Sequence, residues 1–291
     1  MSPHVIGFIL MMLAALFGGS VPAVSKIVLE VFPPITTLFL RVLITTIIFA
    51  LIVGFRRERY QIATFRDLAR VSLLLVVNTA CAIFALRFIP SALVPILYAT
   101  SPLMTLLIQK YENPQHSMTT RQLSGIGLGF VGVLVAISGS TINIALSPNT
   151  WIGVGLILLG SFCFSLYGIR SKSIQKRYSP THITLSMTIL ATLVTAPFAL
   201  FDLATHHYLA RIELRHILAL FATGAIGTVA FYMCYQYAIK HTNAQTASML
   251  TYIQPPFAVA LSVLLVGESI TPIFIIGSVL AIAGASLASK K

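Results

Sequence analysis

The sequence predicts an all-α integral membrane protein of ten transmembrane helices, arranged as two inverted repeats of five helices each. Composition is the first reason, because 57% of the 291 residues are hydrophobic and only 9% are charged. Ordinary soluble domains are about 25% charged, so lipid is expected to cover much of this chain. The other two reasons are a succession of apolar stretches and a weak internal repeat.

Each apolar stretch is long enough for a membrane helix, which needs about 20 residues, with a range of about 17 to 25. The third and fourth stretches are separated by a short turn that ends at Pro90, which predicts a tight helical hairpin. In chain order, the predicted spans are residues 5–29, 35–55, 68–87, 91–109, 122–139, 151–169, 182–201, 216–239, 243–265 and 271–288.

The internal repeat relates residues 85–107 to residues 238–260 at an offset of 153, with alanine, leucine and proline at matching positions. An offset of 146 relates Lys26 to Lys172, each followed eight residues later by a proline. One length difference in a loop explains the change of offset. We therefore predict two copies of one design.

The repeats are expected to cover residues 1–145 and residues 146–291. Because each holds five spans, an odd number, the second repeat must cross the membrane in the opposite direction to the first. Inverted repeats of this kind are typical of secondary transporters. The alternative is that ten spans form another kind of membrane protein and that the internal similarity is coincidental.

The distribution of Lys and Arg predicts the orientation. Fourteen of the 19 cationic residues lie on the side of the N-terminus, four lie on the opposite side, and Arg41 lies within the second span. The positive-inside rule therefore places both termini in the cytoplasm. No basic stripe with interleaved aromatic residues is present, so nucleic acid is not an expected partner despite the net charge of +12.

Enzymatic motifs are lacking: the sequence has no His-Glu-x-x-His run, no Walker A loop and no Gly-x-Ser-x-Gly elbow. All seven acidic residues lie in predicted loops or at span ends. The three cysteines lie inside apolar runs and are expected to be free thiols. We predict no enzyme, no metal site and no cofactor. Without a nucleotide site, the remaining mechanisms are facilitated exchange and proton-linked secondary transport.

The whole chain resembles the ten-span EamA type of the drug/metabolite transporter superfamily. The residues that carry this resemblance are Lys26, Pro33 and Pro34, Arg41, the segments 85–92 and 238–246, Pro102 and Pro255, Gly267 and Glu268, and paired glycines seven residues apart in the fifth and tenth spans. Met187 departs from the pattern, since the repeat would place a second arginine there, and Phe17 stands where the family often has tryptophan.

The resemblance implies a secondary transporter, working as an exporter, of small organic metabolites such as amino acids across a bacterial inner membrane by alternating access. It also implies that spans three, four, eight and nine surround a central cavity. A proton is the candidate coupling ion. The alternatives are an importer or exchanger of nucleoside-like or cationic drug-like compounds and, outside transport, a membrane-embedded assembly factor.

Polar and aromatic residues of these spans are the candidate substrate contacts, since a pocket with aromatic walls and few hydrogen-bonding groups suits small amphipathic solutes. Together with Arg41 and one residue of the sixth span, they are Asn78, Tyr98, Ser101, Tyr167, Tyr232, Tyr235, Gln236, Tyr252 and Gln254. The other explanation for the tyrosines is an interfacial aromatic belt.

Arg41 has two explanations as well. A charge inside the membrane is costly and normally faces protein or a wet cavity. It either contacts substrate or locks its helix by pairing with Glu30 or with a backbone carbonyl group.

Three prolines, Pro102, Pro255 and Pro256, are predicted to break their helices and to serve as hinges. Glu268 precedes the tenth span and is predicted to cap that helix, because an acidic side chain favours a helix N-terminus.

Overall fold

A computed structural model describes residues 3–58, 60–112, 119–139, 148–206, 208, 211–242, 247 and 249–289. Over these residues the chain forms ten helical spans, which confirms the predicted fold class. Seven of the spans are single helices, namely α1 (Pro3–Leu29), α2 (Pro34–Phe55), α3 (Ile62–Ala85), α5 (Thr120–Gly139), α6 (Pro148–Ile174), α7 (Pro180–Thr205) and α10 (Pro272–Ser289).

The other three spans are discontinuous. They are α4 (Leu93–Tyr98 and Ser101–Glu112), α8 (Leu214–Phe221, a π-helical part Ala222–Ala230, and Phe231–His241) and α9 (a 3-10 turn Met249–Tyr252, then Gln254–Leu261 and a π-helical part Ser262–Val266). Eight of the ten spans are long and apolar enough to cross a membrane alone, and the described parts of α9 and α10 are shorter.

Proline marks equivalent starting points in the two repeats. Pro34 lies in the first turn of α2 and Pro180 in the first turn of α7. Proline is tolerated there because its missing N–H has no partner within the first turn. Ser179 also caps α7, since its side chain accepts a hydrogen bond from the N–H of His182. The match between Lys26 and Lys172 thus continues into the helix that follows each lysine.

Contacts between helices come in symmetry-related pairs. Helix α3 packs on α6, and the equivalent pair, α8 on α1, is also in contact. Helix α2 packs on its own counterpart α7, and α5 on its counterpart α10. This is the pattern expected when a pseudo-two-fold axis in the membrane plane relates two inverted repeats.

Glycines allow α5 and α10 to pack backbone against backbone. A Cβ atom on Gly132 would lie 2.2 Å from the backbone nitrogen of Ala281, and one on Gly277 would lie 2.2 Å from that of Ala136. A third contact joins Gly284 to Gly129. The small residues of both helices are therefore used within the subunit.

The start of α3 differs from the prediction. Helix α3 begins at Ile62, not at residue 68, so Arg66, Asp67 and Arg70 lie on the helix. Hydropathy locates the lipid-covered part of a helix, whereas backbone hydrogen bonds continue into the charged turns that reach water. The predicted repeat boundary between residues 145 and 146 lies outside the described residues and stays a prediction.

Candidate functional site

A cavity of about 90 Å³ lies between the two repeats, where α1, α2, α3, α4, α6, α8 and α9 meet. Its described lining residues are Gly18, Val21, Pro22, Arg41, Asn78, Thr79, Ala82, Val94, Pro95, Tyr98, Phe164, Gly227, Phe231, Tyr232, Thr251 and Gln254. Arg41 is the single charged side chain in this set. Drug-sized ligands occupy pockets of about 300–1,000 Å³, so the cavity in this conformation fits a much smaller solute.

Arg41 projects from the middle of α2 and is 5% exposed. Its Nε donates a hydrogen bond of 2.8 Å to Thr228 Oγ1 in the π-helical part of α8. Thr228 in turn donates to the carbonyl oxygen of Thr223. Arg41 is therefore held by the second repeat, and neither of the predicted structural partners, Glu30 or a backbone carbonyl group, hydrogen-bonds to its guanidinium among the described residues.

Asn78 fixes one wall of the cavity. Its Nδ2 donates to Tyr98 Oη at 2.6 Å and to the carbonyl oxygen of Gly160 at 2.9 Å. The glycine at 160 is required by this arrangement, because a Cβ atom there would lie 2.9 Å from the Tyr98 hydroxyl. One amide thus joins α3, α4 and α6.

Aromatic rings form another part of the lining. Phe164 meets Tyr98 edge to face at 6.3 Å between ring centroids and stacks on Phe231 at 6.5 Å. Tyr235 stacks on Phe164 from behind at 4.8 Å. Aromatic pairs in these geometries stabilise one another beyond the burial of their area.

Five of the ten predicted contact residues line this cavity together, namely Arg41, Asn78, Tyr98, Tyr232 and Gln254. The other five lie outside the lining, and Tyr235 is one of them, behind the aromatic wall. Ser101 hydrogen-bonds Ser161 at 2.8 Å between α4 and α6. Tyr252 lies on the 3-10 turn of α9. Substrate contact by any of the ten stays a prediction.

Tyr167 and Gln236 belong instead to a polar cluster near the end of α6. Gln236 Nε2 donates to the Tyr167 hydroxyl and, at 3.3 Å, to Ser171 Oγ, while Gln175 Nε2 donates to Gln236. Lys172 lies beside this cluster and donates to the carbonyl oxygens of Ile239, Lys240 and Thr242 at 2.7, 3.1 and 2.7 Å. We call Lys172 and the three carbonyl groups at the end of α8 the Lys172 closure.

At the other end of the bundle, Lys26 and Glu268 form the centre of a second polar cluster. Lys26 Nζ lies 2.9 Å from Glu268 Oε1. The same carboxylate accepts hydrogen bonds from the backbone N–H of Ser91 at 2.7 Å, from Ser91 Oγ at 2.8 Å and from the N–H of Ala92 at 3.0 Å. These four residues are the Lys26 closure, and they join α1 and the start of α4 in the first repeat to the α9–α10 connection in the second.

Glu268 therefore caps α4, and the prediction that it caps α10 is wrong. Thr271 performs that task, because its Oγ1 accepts from the N–H of Phe274. Burial alone would raise the pKa of Glu268, but the Lys26 ammonium and the N–H groups of Ser91 and Ala92 outweigh burial and lower that pKa below its usual value.

The predicted hinge prolines lie next to breaks in helical hydrogen bonding. Pro102 is the second residue after the break between the two parts of α4, and Pro255 follows the 3-10 turn of α9, with Pro256 after it. Movement at these positions stays a prediction.

Sequence reasoning missed the apolar part of the lining, notably Phe164 and Phe231. In so apolar a chain, a phenylalanine that faces a cavity has the same local pattern as one that faces lipid. Two lining glycines, Gly18 and Gly227, could have been predicted, because they are small residues in the first and eighth spans. A Cβ atom on Gly18 would lie 2.4 Å from Gln254 Nε2.

Fold and cavity together define the class: a multi-pass membrane protein of two repeats with a cavity between them. The family model described as the EamA-like transporter family matches residues 5–138 and again residues 151–290. The chain belongs to this family, which is one of transporters and not of enzymes.

Similar proteins agree on the class. The inner membrane transporter YedA of Escherichia coli strain K12 is 28% identical over 88% of this chain and 81% of its own length. A transporter of Clostridium kluyveri is 26% identical over 69% of this chain and 64% of its own length. A probable amino-acid metabolite efflux pump of Salmonella typhimurium strain LT2 is 29% identical over 56% of each chain.

One solved crystal structure covers 98% of this chain and 95% of its own, with a TM-score of 0.68 at 17% identity. At that identity the likeness shows the fold alone.

Proposed function

We propose that this protein is a secondary transporter that exports small organic metabolites, amino acids among them, by alternating access across a bacterial inner membrane, with both termini in the cytoplasm. The observation that carries the proposal is the position of the cavity. It lies at the seam of two inverted repeats, between the Lys26 closure at one end and the Lys172 closure at the other.

The Lys26 closure can open without disturbing the fold of a repeat, since it is made of contacts across the seam, whereas Lys172 and its carbonyl partners all belong to the second repeat. Lys26 and Ser91 belong to the first repeat, and Glu268 to the second. A rocking movement of one repeat against the other would therefore break these contacts and expose the cavity. The discontinuities of α4 and α9 beside the cavity supply positions where such a movement needs little backbone strain.

The amino-acid part of the proposal is supported by the Salmonella relative and by the size and lining of the cavity. Phosphorylated cargo would need several inward-facing cations, and Arg41 is the single cation among the described lining residues. The described lining also holds no carboxylate to carry a proton through the cavity. A proton remains the candidate coupling ion, to be tested with an imposed gradient.

Purified protein in liposomes tests the proposal. The liposomes are loaded with mixed amino acids, nucleosides and small cations, and mass spectrometry follows efflux with and without a pH gradient. Tyr98→Phe removes the hydroxyl that Asn78 holds, and we expect it to reduce selective efflux by about tenfold. Tyr111→Phe is the matched control, because Tyr111 is 88% exposed.

Selective efflux that depends on Tyr98 and not on Tyr111 supports transport. A folded protein that moves none of these solutes in either direction contradicts the proposal and favours a membrane-embedded assembly factor.

A further inference from the structure

We infer that the cavity recognises a small monocarboxylate, whose carboxylate binds the two terminal nitrogens of Arg41, and that it does not require an amino group on the solute. This inference rests on the proposed transport function and specifies its substrate class. It comes from the charges of the described residues, among which one buried cation, Arg41, has no counter-ion.

Every acidic side chain of the protein is engaged away from Arg41. The sequence has seven, all of which the structure describes. At the Lys26 end, Glu30 and Glu213 contact Arg215, Asp202 accepts from Thr36 and Tyr208, and Glu268 pairs with Lys26. At the Lys172 end, Glu58 contacts His182, Asp67 accepts from Tyr178, and Glu112 pairs with Arg170.

Arg41 is thus a buried guanidinium with no acidic partner. Its described hydrogen bonds are limited to the one from Nε to Thr228, so Nη1 and Nη2 have no described protein acceptor. A buried charge without a partner is strongly unfavourable, and membrane proteins retain such a charge where it faces a ligand or a wet cavity. Arg41 lines the cavity, which provides that ligand site.

The geometry of a guanidinium selects the ligand. With Nε held by Thr228, the edge that carries the two terminal nitrogens remains for the solute. A planar fork of N–H groups matches a carboxylate, which can accept two parallel hydrogen bonds. Gln254 is neutral and adds hydrogen-bonding capacity without a second charge, whereas the Nδ2 group of Asn78 is already used by Tyr98 and Gly160.

The rest of the cavity fits an uncharged, largely apolar body. Phe164, Phe231, Val94 and Pro95 supply apolar surface, and the volume of about 90 Å³ restricts the size of the solute. A cationic solute would meet Arg41 without any carboxylate in the described lining to bind it. The site therefore disfavours cationic drug-like compounds, and an ammonium group on the solute contributes little to recognition.

Matched triplets of compounds test this inference with the wild-type protein in liposomes. Each triplet contains an amino acid with a small apolar side chain, its primary amide, and the monocarboxylate that lacks the amino group. We expect the two carboxylates to move at rates within about threefold of each other and the amide to move at least about tenfold more slowly, as loss of a charged hydrogen bond predicts.

The Arg41→Gln variant should abolish this preference for carboxylate over amide, whereas Arg121→Gln, at an exposed position on α5, should keep it. Arg41→Lys retains the positive charge but lacks the two terminal guanidinium nitrogens, and it should keep an intermediate preference. An intermediate result would show that the loss in Arg41→Gln is not caused by misfolding.

The outcomes separate this inference from the transport proposal. Equal rates for amide and acid, or transport of nucleosides or cations alone, overturn the carboxylate inference and leave transport intact. Absence of flux for every compound tested overturns both.

Discussion

The Lys26 closure and the Lys172 closure lie at opposite ends of the bundle and contain lysines from the same position in the two repeats. The partners of the two lysines differ in chemistry. Lys26 contacts the carboxylate of Glu268, whereas Lys172 contacts three backbone carbonyl groups. A carboxylate can be neutralised by a proton and a carbonyl group cannot. The Lys26 closure joins the two repeats and depends on an ionisable acid, whereas the Lys172 closure lies within the second repeat and its described contacts include no acid.

The same difference is seen in the acid that ends the fourth helix of each repeat. Glu268 follows α9, is enclosed in the Lys26 closure and has a side chain 11% exposed. Glu112 ends α4, and its side chain pairs with Arg170 where the two are 35% and 50% exposed. Exposed ion pairs contribute about 0–1 kcal/mol. The acid has a strong role at one end and a weak one at the other.

Of the substitutions that test this difference between the two ends, Glu268→Gln should have the largest effect. The variant removes the ion pair with Lys26 and weakens the acceptor for two backbone N–H groups, so the Lys26 closure should lose about 1–3 kcal/mol. A spin label at Ala82→Cys, in protein without native cysteines, lines the cavity and reports its exposure to a water-soluble relaxing agent. Exposure from the Lys26 end should rise, with no rise from the Lys172 end.

Lys26→Met is the matched variant and should act in the same direction. Unchanged exposure in both variants would show that Glu268 does not hold this end closed.

Lys172→Met should have the next largest effect, at the opposite end. It removes three hydrogen bonds to the end of α8, and we expect a loss of about 1–2 kcal/mol from the Lys172 closure. The same label should become more exposed from the Lys172 end. Lys176→Met, on the segment after α6, is the control, and equal effects of the two variants would contradict the assignment.

Acidification should distinguish the closures in the unmodified protein. Contacts with Lys26, Ser91 and Ala92 lower the pKa of Glu268 in the closed state, and opening returns that pKa towards the usual value of about 4.3. The contribution of Glu268 to the Lys26 closure is therefore fully present above the usual carboxyl pKa. It is lost as the pH falls through the lowered pKa that Glu268 has in the closed state. Arg87 is the third charged residue, with Lys26 and Glu268, among the described residues that line this site.

The measurement is exposure of the Ala82→Cys label between about pH 6 and pH 3, the range around the usual carboxyl pKa. Exposure from the Lys26 end should rise at the acidic limit and should not change with pH in the Glu268→Gln variant. A pH dependence that persists in this variant would assign the effect to another group.

Arg170→Gln should have the smallest effect. Its ion pair with Glu112 is exposed to solvent. The free energy of opening at the Lys172 end should therefore change by less than about 1 kcal/mol. A change as large as that of Lys172→Met would mean that the surface pair, and not the carbonyl contacts, closes this end.

The fold was accessible from the sequence because hydropathy and chain length determine where helices cross lipid. The residues of the site could be predicted only in part from the sequence. Tyr232, Tyr235 and Gln236 share a helix face, yet only Tyr232 lines the cavity, because Tyr235 stacks on Phe164 and Gln236 bonds to Tyr167. Helical spacing defines a face, but the neighbouring helices decide which part of that face borders empty space.

Glu268 illustrates a second limit. The next helix after it along the chain is α10, and local rules assign it there, but Ser91 and Ala92, from whose N–H groups it accepts hydrogen bonds, belong to the other repeat. Capping depends on which free N–H groups are close in space, and an inverted repeat brings distant ones together.

The most direct test of alternating access at this seam is to lock the Lys26 closure with a disulfide. Ser91 Oγ and Ser262 Oγ lie 2.9 Å apart, one in each repeat, so Ser91→Cys with Ser262→Cys, in protein without native cysteines, places two thiols within reach of a disulfide. Flux in liposomes should fall at least about tenfold on oxidation and return on reduction, because movement across the seam would be blocked, while either single variant should not respond. Undiminished flux through protein shown by mass spectrometry to be fully cross-linked would contradict alternating access at this seam.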